Sequence, residues 1–243
     1  MNEYHVDLHV HTIASSDGRS TLEQQAKAAH AVGLHAIAVT DHNCCIFVPE
    51  KLNDILLIPG CEISTRIGHI LGLFLERPID FDALGHLPAG DEAISAIRAA
   101  GGLAVLAHPF QNPLRTESDL PLDADGIEIC NARGDLKRAN ANAMAKELAE
   151  KRTLPGTGGS DAHHSDEIGY AYTVIYADEL TLKDLRHALQ SGNCRATLVR
   201  RTSYTQKGLS QWESARKKTL LRRIKGLLYL CRNICKDMIY NHK

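Results

Sequence analysis

The chain has 243 residues, of which 44% are hydrophobic and 23% are charged. These values are close to those of globular domains, so they exclude a disordered, collagen-like or low-complexity chain. Thirteen histidines outnumber the four Phe and seven Tyr together, and histidine is the side chain most used for divalent metals and for proton transfer near neutral pH. The composition therefore indicates a globular protein that binds metal.

The formal net charge of −1 conceals an uneven distribution along the chain. Residues 200–243 carry 12 Lys and Arg against Glu213 and Asp237, a surplus of +10, which leaves −11 for residues 1–199. We therefore predict two regions with different tasks, a folded domain over residues 1–199 and a basic tail over residues 200–243.

The seven cysteines form no Cys-x-x-Cys pair, and the chain begins without a basic segment followed by an apolar run. Both features favour a reducing, cytoplasmic location. The longest uncharged stretch, residues 99–114, is short and contains glycine and proline, so we predict no transmembrane segment.

Strand and helix patterns alternate along residues 1–199. A capping box at Ser20–Glu23 begins the first predicted helix, which ends at Gly33. Strands are predicted at residues 4–8, 36–40, 55–60, 69–75, 103–107, 126–130, 154–158 and 172–176, with further helices near 91–100, 136–151 and 181–191. Because no Gly-x-Gly-x-x-Gly turn or P-loop is present, this alternation favours a βα barrel over an open doubly wound sheet.

The basic tail divides into two predicted segments. Residues 200–218 are polar and are predicted to be a linker, whereas residues 219–240 have apolar side chains at three-to-four spacing with Lys and Arg between them. This pattern predicts a basic amphipathic helix. Its partner could be an anionic membrane surface, nucleic acid or the acidic region of a second copy; the alternative is a helix packed on its own barrel.

Histidine and carboxylate side chains recur where the predicted strands end or in the adjoining loops. His9 and His11 lie on the same side of the first strand, since side chains alternate along a strand. Strand ends meet on one face of a parallel barrel, so we expect these donors to converge. The set comprises His9, His11, Asp17, His42, Glu62, His69, His108, Asp161 and His163.

This donor set predicts the metals. A mixture of histidine and carboxylate without cysteine suits Mn²⁺, Fe²⁺ or Zn²⁺, and nine donors exceed the four ligands of a structural zinc. We therefore predict two or three divalent ions bridged by Glu62 and Asp161. Asp41 is predicted to orient a ligand rather than to bind metal. His69 has a rival in His86, because His69 begins its strand.

The ordered motifs resemble the PHP superfamily, the polymerase and histidinol phosphatase phosphoesterases. The resemblance spans residues 4–199 and rests on the segments DLHVHT (7–12), SDG (16–18), VTDH (39–42), PGCE (59–62), AHP (107–109) and GSDAH (159–163). It implies an α/β fold, a distorted TIM-like (β/α)7 barrel of the PHP type, followed here by the basic amphipathic helix. It also implies a trinuclear Mn, Fe or Zn centre that hydrolyses phosphate esters.

The resemblance also implies roles for individual residues. The family's pattern points to one metal held by His9, His11, Glu62 and Asp161, a second held by Glu62, His69 and His108, and a third held by Asp17, His42 and His163. We predict His9, Glu62 and Asp161 as catalytic residues. Asn131 and Arg133 resemble a family segment that could bind the substrate phosphate, and a solvent-exposed loop position is the alternative for Arg133.

The predicted activity is that of a metal-dependent phosphoesterase, in which a metal-bridging hydroxide attacks phosphorus. Glu62 and His108 are only 46 residues apart, which leaves no room for a large insertion and predicts an open site. Its substrate would be a small phosphomonoester, a nucleotide or a nucleic-acid end. The alternatives are a non-catalytic metal-binding module of a larger assembly and, ranked last, an amidohydrolase-type hydrolase, which would want a carbamylated lysine where Glu62 stands.

Overall fold

The computed structural model describes residues 1–240. Its strands are β1 (Asn2–Val10), β2 (Ala36–Val39), β3 (Lys51–Leu52), β4 (Ile55–Thr65), β5 (Gly68–Leu73), β6 (Leu103–Ala107), β7 (Gly126–Asn131), β8 (Gly156–Gly159), β9 (Ala171–Ala177) and β10 (Cys194–Leu198). Its helices are α1 (Leu22–Ala31), α2 (Phe81–Leu84), α3 (Gly90–Ala99), α4 (Ala141–Arg152), α5 (Leu182–Gln190), α6 (Tyr204–Arg216) and α7 (Leu220–Tyr240).

The strands form one sheet in the order β10-β9-β1-β2-β4-β5-β6-β7-β8, with β3 paired to β4. β1, β2 and β4 are parallel, as are β6, β7 and β8, whereas β5 and β9 run antiparallel to their neighbours. The edges approach each other where Val10 bridges Ala162 and the Thr173 hydroxyl donates to the Gly158 carbonyl over 2.9 Å. The predicted α/β barrel class is confirmed; the sheet contains ten strands, compared with eight predicted from the pattern and seven implied by the resemblance.

Apolar runs build the strands that lie inside the molecule. All four residues of β2 are buried, and so are residues 55–58 of β4, as expected for strands covered on both faces. Helix α1 packs Ala26 and Ala29 against this layer. The N-cap of α1 lies one residue later than predicted. The Thr21 hydroxyl accepts from the backbone N–H of Gln24, whereas the Ser20 hydroxyl accepts from the backbone N–H of Ser165.

The C-terminal ends of β1, β2, β6 and β8 lie at the same end of the barrel and together form one of its faces. β4 is longer than predicted because it continues to Thr65 and forms a hairpin with β5. Glu62 therefore lies within a strand rather than after one, and His69 lies opposite Ser64 in the returning strand. This hairpin brings a carboxylate and an imidazole to the face on which the other strands end.

The prediction of a linker over residues 200–218 is wrong, because residues 204–216 form helix α6. A capping box that we overlooked begins it: the Ser203 hydroxyl accepts from Gln206 N, and the Gln206 side chain accepts from Ser203 N. The helix packs on the barrel, where the Ser210 hydroxyl accepts from Arg133 over 3.2 Å. The tail is thus not simply an appendage outside the barrel.

Helix α7 occupies the segment predicted to be helical, residues 219–240, and it packs against α6. The contact uses small side chains: a side chain at Gly226 would collide with Ala215, and Gly208 lies against Leu230 and Asn233. Among residues 1–240, no helix combines the length and the apolarity that a bilayer crossing requires.

Candidate metal centre

The structure brings the nine predicted donors together on one face of the barrel. β1 carries His9 and delivers His11 just beyond its end, and the loops after β2, β6 and β8 deliver His42, His108 and the pair Asp161 and His163. The β4–β5 hairpin adds Glu62 and His69, and the loop after β1 adds Asp17. Most of these side chains are buried. The convergence expected from the strand ends is therefore present, whereas the metal-binding roles stay predictions.

The first group of donors surrounds the end of β1. His9 Nε2 lies 3.1 Å from His11 Nε2 and 3.4 Å from Glu62 Oε1. His11 Nε2 lies 3.4 Å from both Glu62 Oε2 and Asp161 Oδ1. Two imidazoles and two carboxylates thus direct ligand atoms into one small volume, which is the group that the resemblance to PHP proteins implied for one ion.

The second group lies around the other side of the Glu62 carboxylate. Glu62 Oε1 lies 2.8 Å from His69 Nδ1 and 3.2 Å from His108 Nε2. Asp161 Oδ2 is 3.9 Å from the same nitrogen of His108. His86, the rival of His69, is exposed in the loop after α2 and belongs to none of the donor groups. Position 69 is therefore the one that faces the centre.

The third group joins Asp17 to two imidazoles. Asp17 Oδ2 lies 3.2 Å from His163 Nε2, and Asp17 Oδ1 lies 3.8 Å from His42 Nε2. The other ring nitrogen of His42 lies 2.8 Å from Glu62 Oε2. His42 therefore connects the third group to the carboxylate shared by the first two.

The geometry of these donors fits divalent ions. Metal–ligand bonds of about 2.0–2.2 Å place neighbouring donors about 3.0–3.5 Å apart, which matches most of the separations above. Four buried donor atoms, although close to other donors of the centre, form no hydrogen bond of suitable geometry with the described residues, namely Asp17 Oδ1, His42 Nδ1, Glu62 Oε2 and His69 Nδ1. Buried polar atoms without partners are rare in native proteins. An ion held among them would satisfy them.

In the absence of metal, some imidazoles of the centre are protonated near neutral pH. Burial alone would lower the pKa of His42, but Glu62 and Asp17 outweigh it and raise the pKa to about 9. The pKa of His9 is also raised, because Glu128 and Glu62 outweigh the effect of burial. The pKa of His11 instead falls to about 3 through burial and the neighbouring His163 and His42. Near neutral pH, His9 and His42 are therefore protonated while His11 is neutral.

These pKa shifts predict that metal binding releases protons. A histidine binds metal through a neutral imidazole, so an ion must displace the protons on His9 and His42. Affinity should therefore fall as the pH decreases from about 8 to about 6. Calorimetric titration of the metal-free protein with Mn²⁺ in two buffers of different ionisation enthalpy measures the proton count. Affinity that stays constant over this range would contradict the prediction.

A buried carboxylate that the sequence analysis missed supports His9. Glu128 lies in β7, and its Oε1 atom is 3.0 Å from His9 Nδ1 while Oε2 accepts from the backbone N–H of His108 over 2.8 Å. This contact directs His9 Nε2 towards the centre, as carboxylates commonly do for histidine ligands. The available signal was a single acidic residue within the apolar strand GIEIC.

Replacing Glu128 by Gln should weaken Mn²⁺ binding about 10- to 100-fold, because the side chain that orients His9 loses its charge. Equilibrium binding measured by calorimetry checks this value. Glu147→Gln removes a charge from the exposed surface of α4 and should leave affinity unchanged. An equal effect of both substitutions would show that Glu128 has no positioning role.

Asp41, which was predicted to orient a metal ligand, forms its hydrogen bonds with the loop after β1 and not with a histidine side chain. Its carboxylate accepts from Thr12 N and Ser15 N over 2.7 and 3.1 Å and from the hydroxyls of both residues. The Ser15 hydroxyl in turn lies 3.1 Å from His11 Nδ1. Asp41 thus fixes the loop that leads to Asp17, and it belongs to none of the donor groups.

Two donor positions have backbone conformations that most residues avoid. His108 and Asp161 have positive φ values of 28° and 53°, a region that costs about 1–3 kcal/mol for ordinary residues. The backbone near Asp161 is also closely packed. A side chain at Gly159, two residues earlier, would collide with His9. The end of β8 can therefore approach β1 this closely only with glycine at position 159.

Arg133 and Asn131 lie beside the centre but are already engaged. Arg133 Nη2 donates to both oxygens of Glu167 over 2.6 and 2.7 Å, and all of these groups are buried. Asn131 Nδ2 donates to Glu128 over 3.0 Å, with Asp161 Oδ2 3.4 Å away. Arg133 is therefore not the solvent-exposed loop residue of the alternative, and substrate contact by either side chain stays a prediction.

Helix α6 adds a cation that the sequence analysis missed. Lys207 is only 7% exposed, and its Nζ atom has no hydrogen-bond partner among the described residues. Burial, with smaller contributions from Lys137 and Arg133, lowers its pKa to about 7, although Asp161 acts in the opposite direction. A cavity of about 130 Å³ is lined by His69 and His108, and Lys137 is in its wall. The surroundings of the centre are thus rich in positive charge.

Comparisons with known proteins agree with this architecture. The PHP domain model matches residues 7–114, and the PHP-associated model matches residues 139–194. A protein of Caldicellulosiruptor bescii named "Probable phosphatase" is 37% identical over 203 residues, which cover 68% of this chain and 82% of that protein.

Two solved structures share the fold. A Bacteroides vulgatus two-domain protein containing a predicted PHP-like metal-dependent phosphoesterase matches with a TM-score of 0.60 and 22% identity, covering 81% of this chain and 65% of that one. A lesion-specific endonuclease of Pyrococcus furiosus matches with a TM-score of 0.56 and 16% identity, covering 80% and 58%.

The barrel, its His and carboxylate centre and the sequence relatives define the class of this protein as a metal-dependent phosphoesterase. The chain belongs to the PHP family. Helices α6 and α7 lie outside both matched segments.

Proposed function

We propose that the protein hydrolyses phosphate esters at a centre of two to three divalent ions, Mn²⁺, Fe²⁺ or Zn²⁺. The observation that carries this proposal is the Glu62 carboxylate, whose two oxygens lie within 3.4 Å of ring nitrogens from five histidines: His9, His11, His42, His69 and His108. A carboxylate in this position can bridge ions. When bound, such ions lower the pKa of a water molecule and neutralise charge on the phosphoryl oxygens.

The chain's own residues have distinct roles in this proposal. His9, His11, Glu62 and Asp161 hold one ion, Glu62, His69 and His108 hold a second, and Asp17, His42 and His163 hold a third. We propose His9, Glu62 and Asp161 as the catalytic residues, because they surround the position shared by the first two groups. Glu128 orients His9, and Asp41 fixes the loop that carries Asp17.

The proposed substrate is a small phosphomonoester. The cavity beside His69 and His108 also contains Arg115 and Lys137 in its wall, which suits a compact anion. Helix α6 also reaches the loop that carries Asp17: the Ser214 hydroxyl lies 3.4 Å from that of Ser16, which precedes Asp17. The site is therefore less open than the sequence predicted. A nucleotide or a nucleic-acid end is the second candidate, since the Pyrococcus furiosus endonuclease shares the fold.

We further propose that Lys207 contacts the substrate phosphate. A buried ammonium without a partner is costly unless an anion accompanies it. Lys207 is buried, has no hydrogen-bond partner within residues 1–240 and interacts electrostatically with Asp161. Ser210, one turn further along α6, contacts Arg133. The helix therefore presents its barrel-facing side to the same region in which the phosphate is proposed to bind.

Replacing Lys207 by Met should raise KM for a small phosphomonoester about 10- to 100-fold, because a hydrogen bond to a charged group is lost, while kcat changes little. Sulfate, used as a competitive inhibitor, should bind more weakly by a similar factor. Lys218→Met removes an exposed cation beyond the end of α6 and should leave both constants unchanged. A fall in kcat with unchanged KM would contradict the proposed contact.

The function is tested by metal analysis of the purified protein and a screen of phosphomonoesters, bisphosphates and short oligonucleotides with Mn²⁺. We expect bound metal and phosphate release from at least one ester, lost on chelation and in His9→Ala. Bound metal without turnover on any substrate would favour a non-catalytic metal-binding module. Hydrolysis of C–N bonds alone would favour an amidohydrolase.

One further proposal concerns the location of the protein, and one of the predicted partners is not proposed again. A cytoplasmic location is proposed from the cysteine pattern. Self-association through the basic helix α7, one of the partners considered from the sequence, has no support in the structure of residues 1–240.

A further inference from the structure

Helix α7 presents its apolar side to solvent rather than to the protein. On a helix with 3.6 residues per turn, most of its large apolar side chains fall within a sector about 140° wide, whereas Leu230 lies outside it and packs on α6. We call this sector the apolar stripe; it comprises Leu220, Leu221, Ile224, Leu227, Leu228, Ile234, Met238 and Ile239, which are 39–71% exposed. A stripe of this kind is normally the part of a helix that packs on its own domain.

The opposite, more polar side of α7 makes the contact with α6. Gly226 and Asn233 are buried there, and Asp237 accepts from the backbone N–H groups of Tyr204 and Thr205 over 3.0 and 2.6 Å. The Asp237 carboxylate therefore caps the first turn of α6. These contacts hold the helix in an orientation that leaves the apolar stripe uncovered. The orientation is thus a property of the packing and does not follow from hydrophobicity.

Basic side chains flank the apolar stripe. Lys225, Arg232 and Lys236 lie along one margin of the sector and Arg223 along the other, and all except Lys236 are exposed. The helix contains one acidic residue, Asp237, which is turned towards α6. A partner for this surface must therefore supply negative charge at its edges and an apolar region between them.

From this arrangement we propose that α7 binds the surface of an anionic lipid bilayer, with the apolar stripe in the headgroup and acyl boundary. A bilayer offers anionic headgroups directly above an apolar layer, which complements both features. Nucleic acid would satisfy the cations but leave the stripe exposed. A second barrel offers negative charge, but its exposed large apolar side chains, such as Phe47 and Leu114, are isolated in separate loops. This proposal goes beyond hydrolysis and does not depend on it.

The test uses the full chain and two kinds of vesicle, phosphatidylcholine alone and phosphatidylcholine with about 30% phosphatidylglycerol. We expect co-sedimentation with the anionic vesicles, weakened by salt, and little with the neutral ones. Lys225→Gln with Arg232→Gln should reduce binding about 30-fold. The matched pair Lys27→Gln with Lys183→Gln, exposed on α1 and α5, should leave it unchanged.

The apolar stripe is tested separately. Ile224→Ser with Leu228→Ser should reduce vesicle binding about 100-fold, since buried methylene groups are lost. Leu114→Ser with Leu122→Ser, two apolar side chains that are more exposed and lie on the barrel, serves as the control, and far-UV circular dichroism verifies that helix content is kept. Equal binding of the wild type to neutral and anionic vesicles would overturn the proposal. A dimer in solution that dissociates when the stripe is made polar, or oligonucleotide binding that survives this change while vesicles do not bind, would also overturn it.

Discussion

Replacing Asp161 by Asn is expected to lower kcat/KM for any phosphate ester by about 1,000-fold or more, which corresponds to about 4 kcal/mol of transition-state stabilisation. Asp161 Oδ1 lies 3.4 Å from His11 Nε2 and 3.8 Å from His9 Nε2, so an uncharged amide there removes a ligand from the centre. The fold should persist, because Asn tolerates the positive φ of this position.

Two measurements separate loss of metal from loss of structure. The melting temperature of the wild type should rise with Mn²⁺, because the native state alone binds the ions, whereas that of the Asp161→Asn variant should not. The metal-free proteins should melt within a few degrees of each other. Asp166→Asn, at an exposed carboxylate in the same loop, serves as the control. Wild-type turnover in Asp161→Asn would refute the proposed role of this residue.

Replacing Glu167 by Ala is expected to destabilise the protein by about 3–5 kcal/mol, because it leaves the buried guanidinium of Arg133 without a counter-charge. Glu167 is fully buried, and its Oε2 atom also accepts from the backbone N–H groups of His163 and His164. The substitution therefore disturbs the loop that carries a proposed metal ligand. Denaturant unfolding of the metal-free protein measures the change.

A matched control exists on the surface of the barrel. Glu150→Ala breaks an exposed pair with Lys146 on α4 and should change stability by less than about 1 kcal/mol. Replacing both Arg133 and Glu167 by Leu should cost less than Glu167→Ala, since no buried charge is then left unpaired. If Glu167→Ala unfolds at the same denaturant concentration as the wild type, the pair does not stabilise the fold.

Much of the fold could be predicted because local pattern and tertiary position agree. The apolar runs of β2 and β6 are too short for helices and are buried on both faces, so their periodicity pointed to the observed structure. Helix α6 was missed because polar side chains dominate it and Gly208 interrupts its pattern. Its stability comes from its cap and from packing between the barrel and α7, neither of which hydrophobic periodicity reports.

Some residues of the candidate site could likewise be predicted from the sequence, and others could not. His9, His11, His42 and His108 were identified because each stands at or next to the end of a predicted strand. Glu128 was missed because it is a single acidic residue in an apolar strand, and Glu167 because it stands beside Asp166 in a polar loop where charged residues are common. Their importance arises from partners at positions 9 and 133, and no local pattern indicates which distant residue a carboxylate will meet.

The sequence alone determined the βα architecture and the set of donors, because strand periodicity and side-chain chemistry are local properties. Only the tertiary structure decided that β4 and β5 form the hairpin that brings His69 to Glu62, that Lys207 is buried beside the centre, and that α7 turns its apolar stripe to solvent. These features depend on contacts between segments distant in sequence. An amphipathic pattern shows that a helix has an apolar side, whereas packing against α6 determines what that side faces.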